Sequence, residues 1–121
     1  MSARGYVCLL LIDLYFPEAG SLKAKRAELR PLRDRLARLG LSVAEVDHHD
    51  RWQRATLAAS LSASQLARAH EVADAAQRLL DSRLSHGARV DRVVLSIDEL
   101  LDAGPTPAAA LIAPGANADS D

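Results

Sequence analysis

The chain has 121 residues, a formal net charge of −1 and an apolar fraction of 49%. This length fits one domain, and the apolar content supplies a packed core, so an intrinsically disordered chain is excluded. The single cysteine, Cys8, excludes a disulfide framework within one chain, and no apolar stretch approaches the roughly 20 residues of a membrane span. We therefore expect a cytoplasmic protein with no signal peptide and no membrane partner.

The first predicted element is a strand from Tyr6 to Phe16, rich in leucine, β-branched and aromatic residues and followed by Pro17. Its two faces are almost equally apolar. Both faces of such a strand must be covered, which in a two-layer fold predicts a second copy of the chain or the tail on the open side.

The second predicted element is a helix that starts after Ser21 and stops at Gly40, because leucines recur between them at helical spacing. The Ser21 hydroxyl is a good acceptor for the unpaired amides of the first helical turn. Pro31 removes a backbone donor in the middle of the helix and predicts a kink there.

Two further strands are predicted over residues 41–47 and 54–62, joined by a polar turn from His48 to Gln53. A second helix is predicted to start at Ser64 as its cap, with leucine and alanine on one face. Alternating apolar and polar residues from Val93 to Asp98 predict a half-buried last strand.

This order of elements, β-α-β-β-α-β, predicts an α+β fold of the ferredoxin-like, split β-α-β type. Its four-stranded antiparallel sheet has the order 4-1-3-2, with two helices on one face. The predicted domain spans residues 1–101, and the alanine- and proline-rich tail, 102–121, is predicted to be disordered. In this topology residues 17–26 and 47–54 meet at one edge, which we call the corner.

Cations are concentrated on the first helix. Residues 22–39 hold seven basic and two acidic side chains, whereas residues 55–121 hold five basic and nine acidic ones. Four of the cations fall within one quadrant of the helix, and we call them the basic face: Lys23, Arg26, Arg30 and Arg33. Such a row predicts contact with successive phosphates, and the alternative is a solvated face. The complete candidate binding set adds residues of the corner: Lys23, Lys25, Arg26, Arg30, Arg33, Asp47, His48, Asp50, Trp52 and Arg54.

The polar turn has three other interpretations. Asp47, His48, His49 and Asp50 are metal-ligand types, but neighbours on a strand point to opposite faces, so we predict hydrogen bonds and no metal. An acid/base centre of Lys25, Asp47 and His48 is an enzymatic alternative, although no nucleophile motif accompanies it. Trp52 either stacks on a base or a partner ring or, as we favour, packs in the core or over the sheet edge. We assign no catalytic residue and no cofactor.

Two stretches are similar to motifs of the YlxP-like family of small bacterial proteins: SLKAKR at residues 21–26 and VAEVDHHDRWQR at residues 43–54. The resemblance covers about residues 5–100. It implies a ferredoxin-like fold and a genomic setting among genes for translation initiation and ribosome maturation, and no established activity, ligand or catalytic residue. The chain departs from the family pattern at His49, where Gln is expected, at Pro31, and in its tail.

Two hypotheses follow for function. The first is a non-enzymatic protein that binds ribosomal RNA or a ribosomal particle through the basic face and the corner. The second is a homodimer that joins through the open sheet face and acts as a ligand-sensing or assembly module.

Overall fold

The structure, a computed structural model, describes residues 4–103. Its helices and strands, in chain order, are β1 (Tyr6–Tyr15), α1 (Leu22–Arg38), β2 (Ser42–Asp47), β3 (Arg54–Ala63), α2 (Leu66–Arg83), β4 (Ala88–Ser96) and α3 (Ile97–Ala103). Among these residues no helix is both long and apolar enough to cross a membrane. The tail predicted to be disordered lies, from residue 104 onward, outside the described residues.

The four strands form one antiparallel sheet in the order β2-β3-β1-β4. This is the predicted order read from the other edge, and the predicted ferredoxin-like fold is confirmed. Strand β1 lies in the middle and pairs with β3 from Tyr6↔Ala63 to Tyr15↔Arg54. It pairs with β4 along its other side, starting at Tyr6↔Ser96.

The core lies between the sheet and the helices. Alternate residues of β1, namely Cys8, Leu10, Ile12 and Leu14, are fully or almost fully buried. They face leucines of α1 and the alanine-rich stripe of α2, as the helical spacing predicts. Burial raises the pKa of the Cys8 thiol, more than the nearby Arg92 charge lowers it, so Cys8 packs as a small apolar side chain.

The opposite face of the sheet, which we call the open face, is apolar as well. Leu9, Leu11 and Val93 point there with 41%, 39% and 48% of their surfaces exposed. On β3 the small residues Ser60 and Ala58 are the partners of Leu9 and Leu11, and on β4 Val93 is the partner of Leu9. No helix within residues 4–103 covers this face, which agrees with the two-sided character predicted for the first strand.

Helix α1 has the ends that its sequence predicts. The Ser21 hydroxyl accepts a hydrogen bond from the Ala24 amide at 3.0 Å. At the other end Gly40 has a φ of 103°, a conformation that favours glycine. The helix continues through Pro31, whose ring lies on the exposed side, because a missing donor costs least where water can reach the orphaned carbonyl.

Two local predictions are wrong. The cap of α2 is Gln65 rather than Ser64, and its side chain makes no capping hydrogen bond. The last strand ends at Ser96, and Ile97 and Asp98 belong to α3. The reason is a capping box: the Glu99 amide donates to the Ser96 hydroxyl at 3.0 Å, and the Ser96 amide donates to the Glu99 carboxylate at 3.2 Å.

Candidate functional site

The corner forms where β1 ends, α1 begins and the β2–β3 turn closes. The Phe16 amide donates to the Gln53 carbonyl at 2.8 Å, which extends the β1–β3 pairing by one bond. The Gln53 side-chain amide then donates to the Pro17 carbonyl at 2.9 Å. The predicted meeting of residues 17–26 with 47–54 is therefore confirmed.

Lys25 is the centre of the corner. It lies on the core side of α1 and only 2% of its surface is exposed. Its ammonium donates to the carbonyls of His48, His49 and Arg54 at 2.9, 3.3 and 3.2 Å. It also pairs with a carboxylate oxygen of Glu45 at 3.2 Å. Because an ammonium has three hydrogens for these four acceptors, its donor capacity is fully used inside the protein. Lys25 therefore acts on a ligand only through the turn that it holds.

The turn has an unusual backbone at His48, whose φ is 63°. A non-glycine residue in this left-handed region is strained unless its surroundings hold it. Here the His48 carbonyl accepts from Lys25 and from the Arg51 amide, while its own amide donates to the Asp47 carboxylate at 2.7 Å. The Lys25 ammonium thus binds the carbonyl of His48, and the Asp47 carboxylate binds its amide.

This turn contains the residues that the sequence analysis considered for a metal site and for an acid/base centre. His48 lies 3.8 Å from a carboxylate oxygen of Asp47, and the His49 imidazole bonds the Glu45 carbonyl at 3.0 Å. Within residues 4–103 no three His, Cys, Asp or Glu side chains are grouped so that they could hold a metal ion. Lys25 contacts the main chain of His48 and not its imidazole, so the arrangement is suited to holding the turn.

The basic face borders a groove between α1 and β2. The groove has a volume of about 400 Å³, and three cations of the basic face are in its lining. The lining residues are Arg26, Leu29, Arg30, Arg33, Asp34 and Glu45. Lys23 is exposed one turn nearer the helix start. In the part of the chain that the structure describes, none of the four cations has an acidic oxygen within 4.0 Å. They remain available to an external anion.

A second pocket lies on the other side of the turn. We call it the aromatic pocket, and its lining is Tyr15, Asp50, Arg51, Trp52, Gln53 and Arg54 around about 440 Å³. Tyr15 and Trp52 are 48% and 54% exposed. Trp52 therefore lies at the surface of the corner and outside the core. The rings of Tyr15 and His86 meet in an edge-to-face arrangement, with their centroids 6.1 Å apart.

Sequence reasoning missed two residues of this site. Glu45, the partner of Lys25, follows Val43 on the inward side of β2, and a carboxylate on an inward face signals a buried partner. Tyr15 has the same parity as Leu9 and Leu11, which places it at the end of the open face beside Arg54. Both signals were present in the alternation of the strands.

Comparison with known proteins gives a family and a fold. Residues 7–93 match a family described as "Protein of unknown function (DUF503)". No curated protein matches. The de novo designed protein Foldit4 has a TM-score of 0.51 at 8% identity, covering 76% of this chain and 97% of that one. An antibiotic biosynthesis monooxygenase-like protein from Bordetella bronchiseptica has a TM-score of 0.43 at 19% identity, covering 74% and 96%. At these identities the likeness concerns the fold alone.

Proposed function

The chain belongs to the DUF503 family of proteins of unknown function, and we propose that it is a non-enzymatic protein that binds structured RNA through the basic face and the corner. The observation that carries the proposal is the row of cations on α1, which have no ion-pair partner among residues 4–103. Its members recur at three- and four-residue intervals, so with a rise of 1.5 Å per residue the row spans about 15 Å along the helix.

The charge distribution supports a polyanion rather than an isolated anion. Net charge is close to zero, yet the cations collect on one helix while acidic residues dominate the second half of the chain. Asp34 is the one acidic residue of α1 that borders the groove. A partner with repeated phosphates gains from every cation in the row, because each contact releases condensed counterions.

The resemblance to the YlxP-like family supports a particular RNA. That family's setting among genes of translation initiation and ribosome maturation favours ribosomal RNA or a ribosomal particle in the cytoplasm. The label YlxP-like is compatible with membership of the DUF503 family. The basic face supplies the affinity in this proposal, and the ordered turn of the corner supplies shape.

Filter binding to a ribosomal RNA fragment at two salt concentrations tests the proposal. Four contacts predict a slope of log affinity against log salt of about −3 to −4. In the test variant the four residues of the basic face become Gln, and affinity and slope should both collapse. The matched control removes the same number of charges from four exposed arginines elsewhere on α1 and α2. In this variant Arg35, Arg38, Arg78 and Arg83 become Gln. Equal losses in the two variants, or binding that ignores salt, would contradict the proposal.

The open face favours a second candidate function, a homodimeric assembly or ligand-sensing module. Leu9, Leu11 and Val93 are apolar, and the nearest charged side chain on this face, Asp91 opposite Leu11, is paired with Arg89 at 3.6 Å. A two-fold interface sets a surface against itself, so an uncharged patch meets its own copy without repulsion. The proposed occupant is therefore a second copy of this chain.

Light scattering across a range of concentrations tests this second candidate. The wild type should be a dimer and Leu9→Arg a monomer, because the substitution buries a cation between the uncharged neighbours Ser60 and Val93 in the contact. The control is Leu66→Arg, which adds the same charge at an exposed leucine at the start of α2. A wild type that stays monomeric at every concentration removes this candidate.

A further inference from the structure

We propose that the aromatic pocket binds one unstacked nucleotide, with its base on the rings of Tyr15 and Trp52 and its phosphate at Arg51 or Arg54. The inference rests on the proposed function and deepens it, because it names the part of the RNA that reaches beyond the basic face. The pocket's volume, about 440 Å³, lies within the range of about 300–1,000 Å³ typical of small-molecule sites.

The two rings are the first support. The whole sequence contains four Phe, Trp and Tyr residues, and two of them line this pocket. Both are about half exposed, although aromatic rings normally gain stability from burial. Exposed rings at one pocket form a stacking platform, and stacking on such rings strengthens binding by about 5- to 100-fold per base.

The cations of the pocket are the second support. Arg54 is the direct cross-strand neighbour of Tyr15, which places a guanidinium beside a ring. Within residues 4–103 neither Arg51 nor Arg54 has an acidic oxygen within 4.0 Å. A phosphate attached to a stacked base can therefore pair with one of them.

Asp50 gives the pocket a base preference. Its carboxylate lies in the lining, and a carboxylate accepts hydrogen bonds but cannot donate them. It therefore suits a base with an exocyclic amine, such as the N4 amine of cytosine, and disfavours uracil, which presents a carbonyl at that position. It also weakens binding of a bare polyphosphate, which carries negative charge and no ring.

The pocket is ordered before any ligand arrives. Lys25 holds the carbonyls of His48, His49 and Arg54, and Gln53 is bonded through both its main chain and its side chain. Since both ends of the turn are fixed, a nucleotide does not have to order it, and less affinity is lost on binding. The same lysine links the turn that lines the pocket to the start of α1.

Fluorescence titration tests the inference, because Trp52 is the chain's only tryptophan. Four probes are compared: cytidine monophosphate, a short single-stranded oligocytidine, an oligouridine of equal length, and an abasic ribose-phosphate strand of equal length. Oligocytidine should quench Trp52 and bind at least about tenfold more tightly than the abasic strand. Tyr15→Ala should lower the affinity for oligocytidine by about 5- to 100-fold, whereas Tyr15→Phe, which keeps the ring, should retain it.

Each outcome decides the question. Quenching by cytidine monophosphate with the affinity of the oligomer identifies a free nucleotide as the source, and much tighter binding of the oligomer identifies an RNA strand. Binding of the abasic strand as tightly as oligocytidine, or no quenching by any probe, overturns the pocket assignment. The filter-binding experiment on the basic face reports the proposed function separately. Salt-dependent binding of ribosomal RNA without quenching would sink this inference alone.

Discussion

Replacing Lys25 with Met tests the claim that a buried cation holds the corner together. Methionine keeps most of the aliphatic stem that packs in the core and removes only the charge and the donors. The substitution leaves the Glu45 carboxylate, whose side chain is 16% exposed, without its cation, and three carbonyls lose the Lys25 donor, of which the His48 carbonyl keeps the Arg51 amide. Removing one partner of a buried ion pair costs about 3–5 kcal/mol.

The lower end of that range applies to Lys25→Met. Glu45 and the exposed turn can recover part of their hydration, so we expect a loss of about 3 kcal/mol in the free energy of unfolding. A domain of this size is stable by about 5–15 kcal/mol, so the loss is a large share of the total. Urea unfolding followed by far-ultraviolet circular dichroism measures it as a shift of the midpoint at unchanged slope.

Two comparisons make the experiment decisive. Lys23→Met removes an exposed lysine two residues away on the same helix and should change stability by less than about 0.5 kcal/mol. The double variant Lys25→Met with Glu45→Met should be more stable than Lys25→Met alone, because no charge is then stranded. A cost below about 1 kcal/mol for Lys25→Met, or strictly additive effects in the double variant, would refute the reasoning.

Three further predictions concern the scaffold. Ser21→Ala should cost about 1 kcal/mol in thermal unfolding because it removes the cap of α1, whereas Ser64→Ala, which removes no capping bond, should cost nothing measurable. Gly5→Ala should cost about 1–3 kcal/mol, since Gly5 has a φ of 134°, and a melting temperature that matches the wild type would contradict this. The Arg92 hydrogen bond lowers the pKa of Asp74, more than desolvation raises it, so this aspartate stabilises the fold above its ordinary pKa and loses that effect as the pH falls through its lowered value. Arg92→Gln should therefore be less stable than wild type at neutral pH, and the difference in the free energy of unfolding should shrink in acid and in high salt. A difference that grows in acid would contradict this prediction.

Much of the fold could be predicted because each strand and helix repeats its pattern over several residues. The apolar run of β1 and the leucine spacing of α1 left few topologies, and the handedness of the crossovers selected the strand order. The meeting of Lys25 with the turn followed from that order alone. The capping box at Ser96 escaped notice because an apolar alternation ran directly into it, although Ser-x-x-Glu was visible in the sequence.

The details of the site depend on contacts between distant residues and were less predictable. The exposure of Trp52 could not be read from its residue type, because an indole suits both packing and stacking. Glu45 could be named as its partner only once β2 was known to lie beside α1. The preferences of single residues do not show which distant side chains contact each other. These contacts have to be taken from a three-dimensional structure.

The central place of β1 affects how this protein is made. Strand β1 is synthesised first, but one of its two neighbours in the sheet is β4, the last strand, since Tyr6 pairs with Ser96. After β3 has emerged, the stretch up to the end of β4 takes roughly 2–7 s to synthesise at about 5–20 residues per second. Throughout that interval one side of β1 has unpaired main-chain groups next to exposed leucines, an arrangement open to mispairing. Nascent chains of this protein should therefore be most prone to associate with one another late in translation, before β4 has been synthesised.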